Sequence, residues 1–209
     1  MTNPQCHTTS DKQILKFGRY KWIVLDEIYE WKLLLAQLPI GIRKYHEKWW
    51  HGKNYGVTWE TSTIRKFLNS KFIEESFSDN EKWYISRRKI QNNNNPWYGT
   101  SGGNDTEDSV FLLSIEEIAK YFEGCPRFTS EPVKRGREAK QECETAKIAF
   151  NRDPCQSPWV LRTPGETSSK ITFIDVGMDL GHLNMAGEKV KNSFHIRPAL
   201  WFNTRWLHV

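Results

Sequence analysis

The sequence predicts an α+β domain in which strands from both ends of the chain share one mostly antiparallel sheet, with three to four helices inserted between them. Three features carry that prediction. Runs of β-forming residues lie near both ends, at 17–25 and again at 159–162, 171–176 and 194–202. Two Ser-x-x-Glu capping boxes, Ser78/Glu81 and Ser114/Glu117, announce helices in the middle. Ten Trp, eleven Phe and seven Tyr supply enough large apolar side chains to build a core with little regular structure.

At 209 residues the chain suits one domain. Residues 1–13 are polar and read as a disordered N-terminal tail; 14–209 read as the single domain, with 125–155 a charged insertion. The first strand is expected over 17–25 and its antiparallel partner over 31–38, with a turn at 26–30 and a stop at Pro39 and Gly41. Residues 43–57 read as a loop anchored by Tyr45, His46, Trp49, Trp50, His51 and Tyr55. Ile64, Phe67, Leu68 and Phe72 mark one face of the first helix, with Thr61 or Ser62 as N-cap. The second helix follows Ser78 and takes apolar bulk from Trp83, Tyr84 and Ile85. The third follows Ser114, after a short buried run at 110–113. It turns Ile118, Tyr121 and Phe122 inward and ends at Gly124. Ala139, Cys143, Ala146 and Phe150 share a face of a fourth. Gly177, Gly181 and Gly187 punctuate turns between the last strands.

The net charge of +5 favours acidic partners without fixing a fold. Its basic residues are scattered, apart from Arg87-Arg88-Lys89 and Lys134-Arg135-Gly136-Arg137, and read as a solvated face; nucleic acid is a disfavoured partner. No run approaches the ~18 apolar residues of a membrane-spanning helix, and residues 1–7 lack the apolar stretch of a secretory signal. Membrane insertion is not expected; the cytoplasm is the expected location, with association with a surface or a phage particle as the alternative. Cys6, Cys125, Cys143 and Cys155 form no C-x-x-C pair and no His stands at zinc-finger spacing, so neither metal nor cofactor is expected. Asp105, Glu107 and Asp108 read as a solvated acidic turn rather than a cation site. No G-x-S-x-G, H-E-x-x-H or phosphate-loop pattern is present. Binding is therefore favoured over catalysis.

Two segments stand out as binding candidates. Residues 91–104 are rich in Asn and Gly and carry Trp97 and Tyr98. The stretch 173–192 spaces Asp175, Asp179, His182, Asn184, Lys189 and Asn192 among glycines, just ahead of the final strand. Trp22, Trp159, Arg162, Arg197 and Trp201 read instead as structural: buried indoles supply area, and Arg197 beside Pro198 suits a carboxylate or carbonyls at a strand end.

Several phrases together resemble an uncharacterised bacterial domain family common in gut bacteria and their mobile elements. They are Phe17-Gly18-Arg19-Tyr20-Lys21-Trp22, Val110-Phe111-Leu112-Leu113-Ser114, Trp159-Val160-Leu161-Arg162-Thr163-Pro164-Gly165 and Ile196-Arg197-Pro198-Ala199-Leu200-Trp201. Trp59, Phe67-Leu68-Asn69 and Phe77-Ser78 fall between them. The family's layout is similar to the C-type-lectin-like fold, which distant relatives share: formylglycine-generating enzymes and the variable proteins of diversity-generating retroelements. The resemblance implies a ligand- or protein-binding module, a target-recognition protein whose varied residues cluster around 173–192. Alternatives are an enzyme of the formylglycine-generating kind and a basic nucleic-acid binder. The calcium triplets of sugar-binding lectins have only faint echoes, in Glu131-Pro132-Val133 and Trp201-Phe202-Asn203, and the paired cysteines of the enzymes have no counterpart.

Overall fold

The computed structural model describes residues 13–47, 56–122, 157–176 and 181–205, with Val176, Gly181 and His182 described by backbone alone. The chain opens with β1 (Ile14–Phe17), β2 (Tyr20–Ile28), β3 (Trp31–Ala36) and β4 (Gly41–Lys44). Three helices follow, α1 (Thr63–Leu68), α2 (Lys71–Ser76) and α3 (Asp79–Lys82). Short strands β5 (Ile85–Ser86), β6 (Arg88–Ile90), β7 (Thr106–Asp108) and β8 (Val110–Phe111) lead to α4 (Ile115–Tyr121). The remainder is β9 (Trp159–Pro164), β10 (Lys170–Val176), β11 (Gly181–Lys189), β12 (Ser193–Ile196) and β13 (Ala199–Asn203). Sheet outweighs helix, since no helix among the described residues exceeds seven residues. None of them is long and apolar enough to cross a membrane. The fourth predicted helix, the 125–155 insertion, residues 1–12 and all four cysteines lie outside the described residues.

The expectation that first and last strands share a sheet holds for β13 alone. The first sheet runs β1-β2-β3-β13-β5, with β8 also on β13, and its pairings are antiparallel. Strands β9 to β12 join β4 in a second sheet, ordered β11-β10-β9-β12-β4, in which only β12 and β9 run parallel. The cause lies at an elbow. β3 pairs with β13 in the first sheet and β4 with β12 in the second, so one two-stranded ribbon passes through both. At the bend, Ala36 N donates to Pro198 O (2.9 Å) and Ile40 N to Ile196 O (3.0 Å). Pro39 and Pro198 lack the N–H that would continue a flat ladder. Arg197, fully buried, donates from Nε to Ala36 O at 2.8 Å and lies 4.9 Å over the Trp159 ring. A carbonyl at a strand end does hold Arg197.

A turn breaks the strand expected over 17–25. Gly18 takes φ +56°, and a Cβ there would stand 2.6 Å from Phe77 Cδ1 and Ser76 O, so a side chain is excluded by both conformation and space. The hairpin closes on an aromatic cluster: Phe17 lies 4.9 Å from Phe77 and 4.7 Å from Phe202 between ring centroids. The Trp22 indole N–H donates to Phe17 O at 2.9 Å. Ser62 caps α1, and Phe72 belongs to α2 rather than to α1, because Asn69 ends the first helix. Asn69 does so by turning its amide to Ser109 N and to Val110 O, both at 2.8 Å. Both capping boxes form. Trp83 departs from expectation: it is 83 % exposed, and Tyr84 stacks on Phe202 in its place.

Arg162, in the middle of β9, ties the second sheet to the rest. Its guanidinium donates to Leu112 O (2.7 Å), to Gln91 O (3.0 Å) and through both Nη groups to the Glu117 carboxylate. Glu117 is also the acidic partner of the α4 capping box. A buried guanidinium demands such partners, since desolvating an unpaired cation costs several kcal/mol.

Arg197→Ala, which removes the elbow staple and leaves a cavity and a bare carbonyl, should lower the unfolding free energy in urea by about 3 kcal/mol. Glu27→Ala, which removes the exposed ion pair with Lys32, should change it by less than about 0.5 kcal/mol. A second expectation concerns acid. Hydrogen bonds from the Ser78 backbone and side chain hold the Glu81 carboxyl below its ordinary value, outweighing partial burial. A lowered folded-state pKa gives stability present at neutral pH and lost as pH falls through that folded value. In urea titrations, Glu81→Gln should therefore differ from the parent at neutral pH and converge on it below the ordinary glutamate range.

Candidate functional site

The 91–104 segment is a fixed loop, and one asparagine fixes it. Strand β10 is flanked by register shifts on both sides, between Ile171 and Phe173, against β9 and against β11. The extra residues lie within 160–164 of β9 and 184–188 of β11. The carbonyls of Pro164 and Met185 both accept from Asn95 Nδ2, at 2.7 and 3.1 Å. Asn95 Oδ1 in turn accepts from the backbone N–H groups of Trp97 (2.9 Å) and Tyr98 (3.1 Å). The residue is 1 % exposed. Its backbone closes the turn, with Asn95 N donating to Thr100 O and Gly99 N to Asn95 O, both at 2.8 Å. Asn92, also buried, reaches Asn104 O (2.8 Å), and Thr100 Oγ1 reaches Glu166 O (3.0 Å).

The two predicted segments are thus in contact, but the predicted residues divide. Trp97 and Tyr98 are half-buried against the core. Near them gather the ends of β9, β10 and β11. Here Lys170 bonds Glu166 at 2.6 Å, and the charge of Glu188 also acts on its ammonium. The Glu166 hydrogen bond is the largest cause holding that ammonium above its ordinary value. Lys189 stands opposite Lys170 in the ladder, and the exposed Asn192 donates to Glu188 at 3.4 Å in the following turn. Asp175 pairs in register with His182 at the far end of the β10–β11 hairpin, roughly 17 Å away by strand rise. Asp179 lies outside the described residues.

Asn184 is half-exposed and serves the β11 bulge, and Gly187 does not punctuate a turn. The Asn184 side chain accepts from Gly187 N at 2.8 Å and so holds the β11 bulge. Gly187 is buried at φ +73°, where a Cβ would lie 2.4 Å from Ile171 O; it shapes a bulge within a strand rather than a surface turn.

The acidic and basic runs also resolve into pairs. Asp108 is 1 % exposed and takes Arg65 Nε (2.7 Å), Trp59 Nε1 (2.8 Å) and Thr106 Oγ1 (2.7 Å). Asp105 pairs with Lys89 (3.1 Å) and Glu107 with Arg87 (3.6 Å). The three carboxylates do not converge on one point. Arg88 pairs with neither; its guanidinium sits 4.5 Å from the ring centroids of both Trp31 and Trp201. Trp201 is half-exposed, unlike the buried Trp22, Trp159, Arg162 and Arg197 with which sequence reasoning grouped it. Sequence reasoning also missed Asn95, which nothing distinguishes from Asn92, Asn93 and Asn94 except its place before Pro96.

The family model described as Domain of unknown function (DUF6273) matches residues 20–204. No curated protein and no solved structure matches the chain.

Asn95→Ala should strip partners from two buried carbonyls and two amides, lowering stability by about 2 kcal/mol. Amide exchange at Trp97 and Tyr98 should accelerate in the same variant, read by hydrogen–deuterium exchange. Asn95→Asp, isosteric but unable to donate, should cost at least as much at neutral pH.

Proposed function

Because the chain belongs to the DUF6273 family, whose description assigns no activity, we propose from its geometry that it is a non-catalytic module recognising a protein or small ligand. The observation that carries this reading is the pre-set 91–104 loop. A loop ordered before its partner arrives loses little entropy on binding. Half-exposed aromatic residues with a polar rim are the usual make-up of a recognition patch. Here Trp97 and Tyr98 are the anchors, and Lys170, Glu166, Lys189 and Asn192 form the rim. Asp175 and His182, with Asp179 between them in sequence, make a second recognition set at the hairpin's other end.

Recognition is favoured over turnover by the use made of the interior polar groups. Asp108, Glu117, Arg162 and Arg197 are each engaged in bonds that hold helices and strands in place. Chain ends that meet in one sheet beside an irregular half support a C-type-lectin-like layout. A target-recognition role, with natural variation in 173–192, follows from that layout.

The test uses a photo-crosslinking amino acid placed at Lys189 and, as a control on the other sheet, at Glu27, in the cells that make the protein. A discrete adduct from position 189 and none from 27 is expected. The same adducts from both positions, or none from 189, would remove this surface from consideration.

A further inference from the structure

Sheet register brings together a group that belongs to neither the 91–104 loop nor the second sheet. Trp201 lies opposite Leu33 on β3 and opposite Ser86 on β5, while Trp31 lies opposite Asn203, two positions along. Directly opposed residues share a face, so the two indoles are diagonal neighbours on one side of the first sheet. Arg88, two residues beyond Ser86, extends between them with its carbon Cζ 4.5 Å from each ring centroid. Ser86 Oγ holds Nε at 3.3 Å. Among the described residues nothing accepts from either Nη group, and no carboxylate lies within ion-pair distance of Arg88. Trp31, Arg88 and Trp201 are all half-exposed.

The guanidinium rests against both indoles and is held at Nε, which leaves its Nη groups for further partners. The unused edge is the two-pronged Nη donor pair, whose spacing matches two oxygens of one oxyanion. The two neighbouring rings offer apolar surface to whatever carries that oxyanion. We propose that Trp31, Arg88 and Trp201 form a carboxylate-recognition site, taking a ligand with a single carboxylate on a flat or apolar body. The local charge favours a monoanion. Glu30 is the carboxylate whose charge acts on Arg88, and it would repel the second charge of a phosphate. Burial already pushes Arg88 below the ordinary arginine value, so an incoming anion would relieve a partly desolvated cation that remains charged at neutral pH.

The experiment is an NMR titration of the isotope-labelled full chain at constant ionic strength, following the indole N–H of Trp31 and Trp201 and Nε–H of Arg88. The probes are benzoate, acetate, inorganic phosphate and the neutral isostere benzamide. Saturable shifts with benzoate, weaker ones with acetate, and at least about tenfold weaker binding of phosphate are expected, with no saturation by benzamide. Arg88→Lys keeps the charge and loses the fork; it should weaken benzoate about tenfold while the thermal midpoint stays near the parent's. Arg88→Gln should abolish binding. No saturation with benzoate would overturn the site, as would equal binding of benzamide or an unaltered affinity in Arg88→Lys. Phosphate binding as tightly as benzoate would overturn the carboxylate assignment.

Discussion

A buried arginine at a bend in a two-stranded ribbon sets the architecture. Strands β3 and β13 continue as β4 and β12 into a different sheet, so the ribbon must turn while its backbone groups stay satisfied. Prolines at 39 and 198 remove donors that would otherwise need acceptors at the turn. Arg197 sits buried at the elbow, taking Ala36 O with Nε and placing its cation over the Trp159 ring. Lysine could not reproduce this, because it has no Nε–H donor set back from a charged tip. With the elbow fixed, both sheets have fixed positions, and the surface loops inherit them.

Two further polar side chains extend that rigidity outward. Arg162 draws Leu112 O, Gln91 O and the Glu117 carboxylate to one point, which pins the start of the Asn-rich loop and the first turn of α4 together. Asn95, four residues on, then anchors the loop on carbonyls of β9 and β11. These groups are expensive to bury alone and cheap only as a complete set. The loop's order is therefore a consequence of core hydrogen bonding rather than of its own composition. That is why a segment of asparagines and glycines presents aromatic residues in one geometry.

The parts legible in the sequence were those written in local chemistry. Ser78/Glu81 and Ser114/Glu117 form their capping boxes because the bonds span three residues and need no distant partner. The 110–113 run and the Trp22, Trp159 and Leu33-Leu34-Leu35 positions are buried as their hydrophobicity suggests. The hairpin at Gly18 was hidden because β-formers flank it on both sides, and only contact with Phe77 demands glycine there. Two sheets rather than one depended on an elbow between residues 161 positions apart. Within the candidate site, the bond from Gly187 N to the half-exposed Asn184 was hidden because the β11 bulge it belongs to is invisible to alternation. Trp201 looked like core because its neighbours Leu200 and Phe202 are core; strand alternation puts it on the other face, in a half-exposed position.

The two candidate surfaces differ in how they would choose a partner. Around Tyr98 the charges come in matched sets, with Lys170 bonded to Glu166 and also within reach of Glu188. Exposed pairs of this kind contribute little net attraction and largely cancel each other's field at a distance. Selection there must rest on the shape of the aromatic pair and on hydrogen bonds made at contact. Arg88 is the opposite case. Its near neighbours are indoles, which stabilise a cation through the ring quadrupole without neutralising its charge. Among the described residues only the Glu30 charge offsets it, and no carboxylate bonds the guanidinium, so the site would select for the sign of an incoming group and for its fit to the Nη pair. Discrimination by shape on one face and by charge geometry on another would let a single rigid scaffold take two unlike chemical groups without either surface compromising the other.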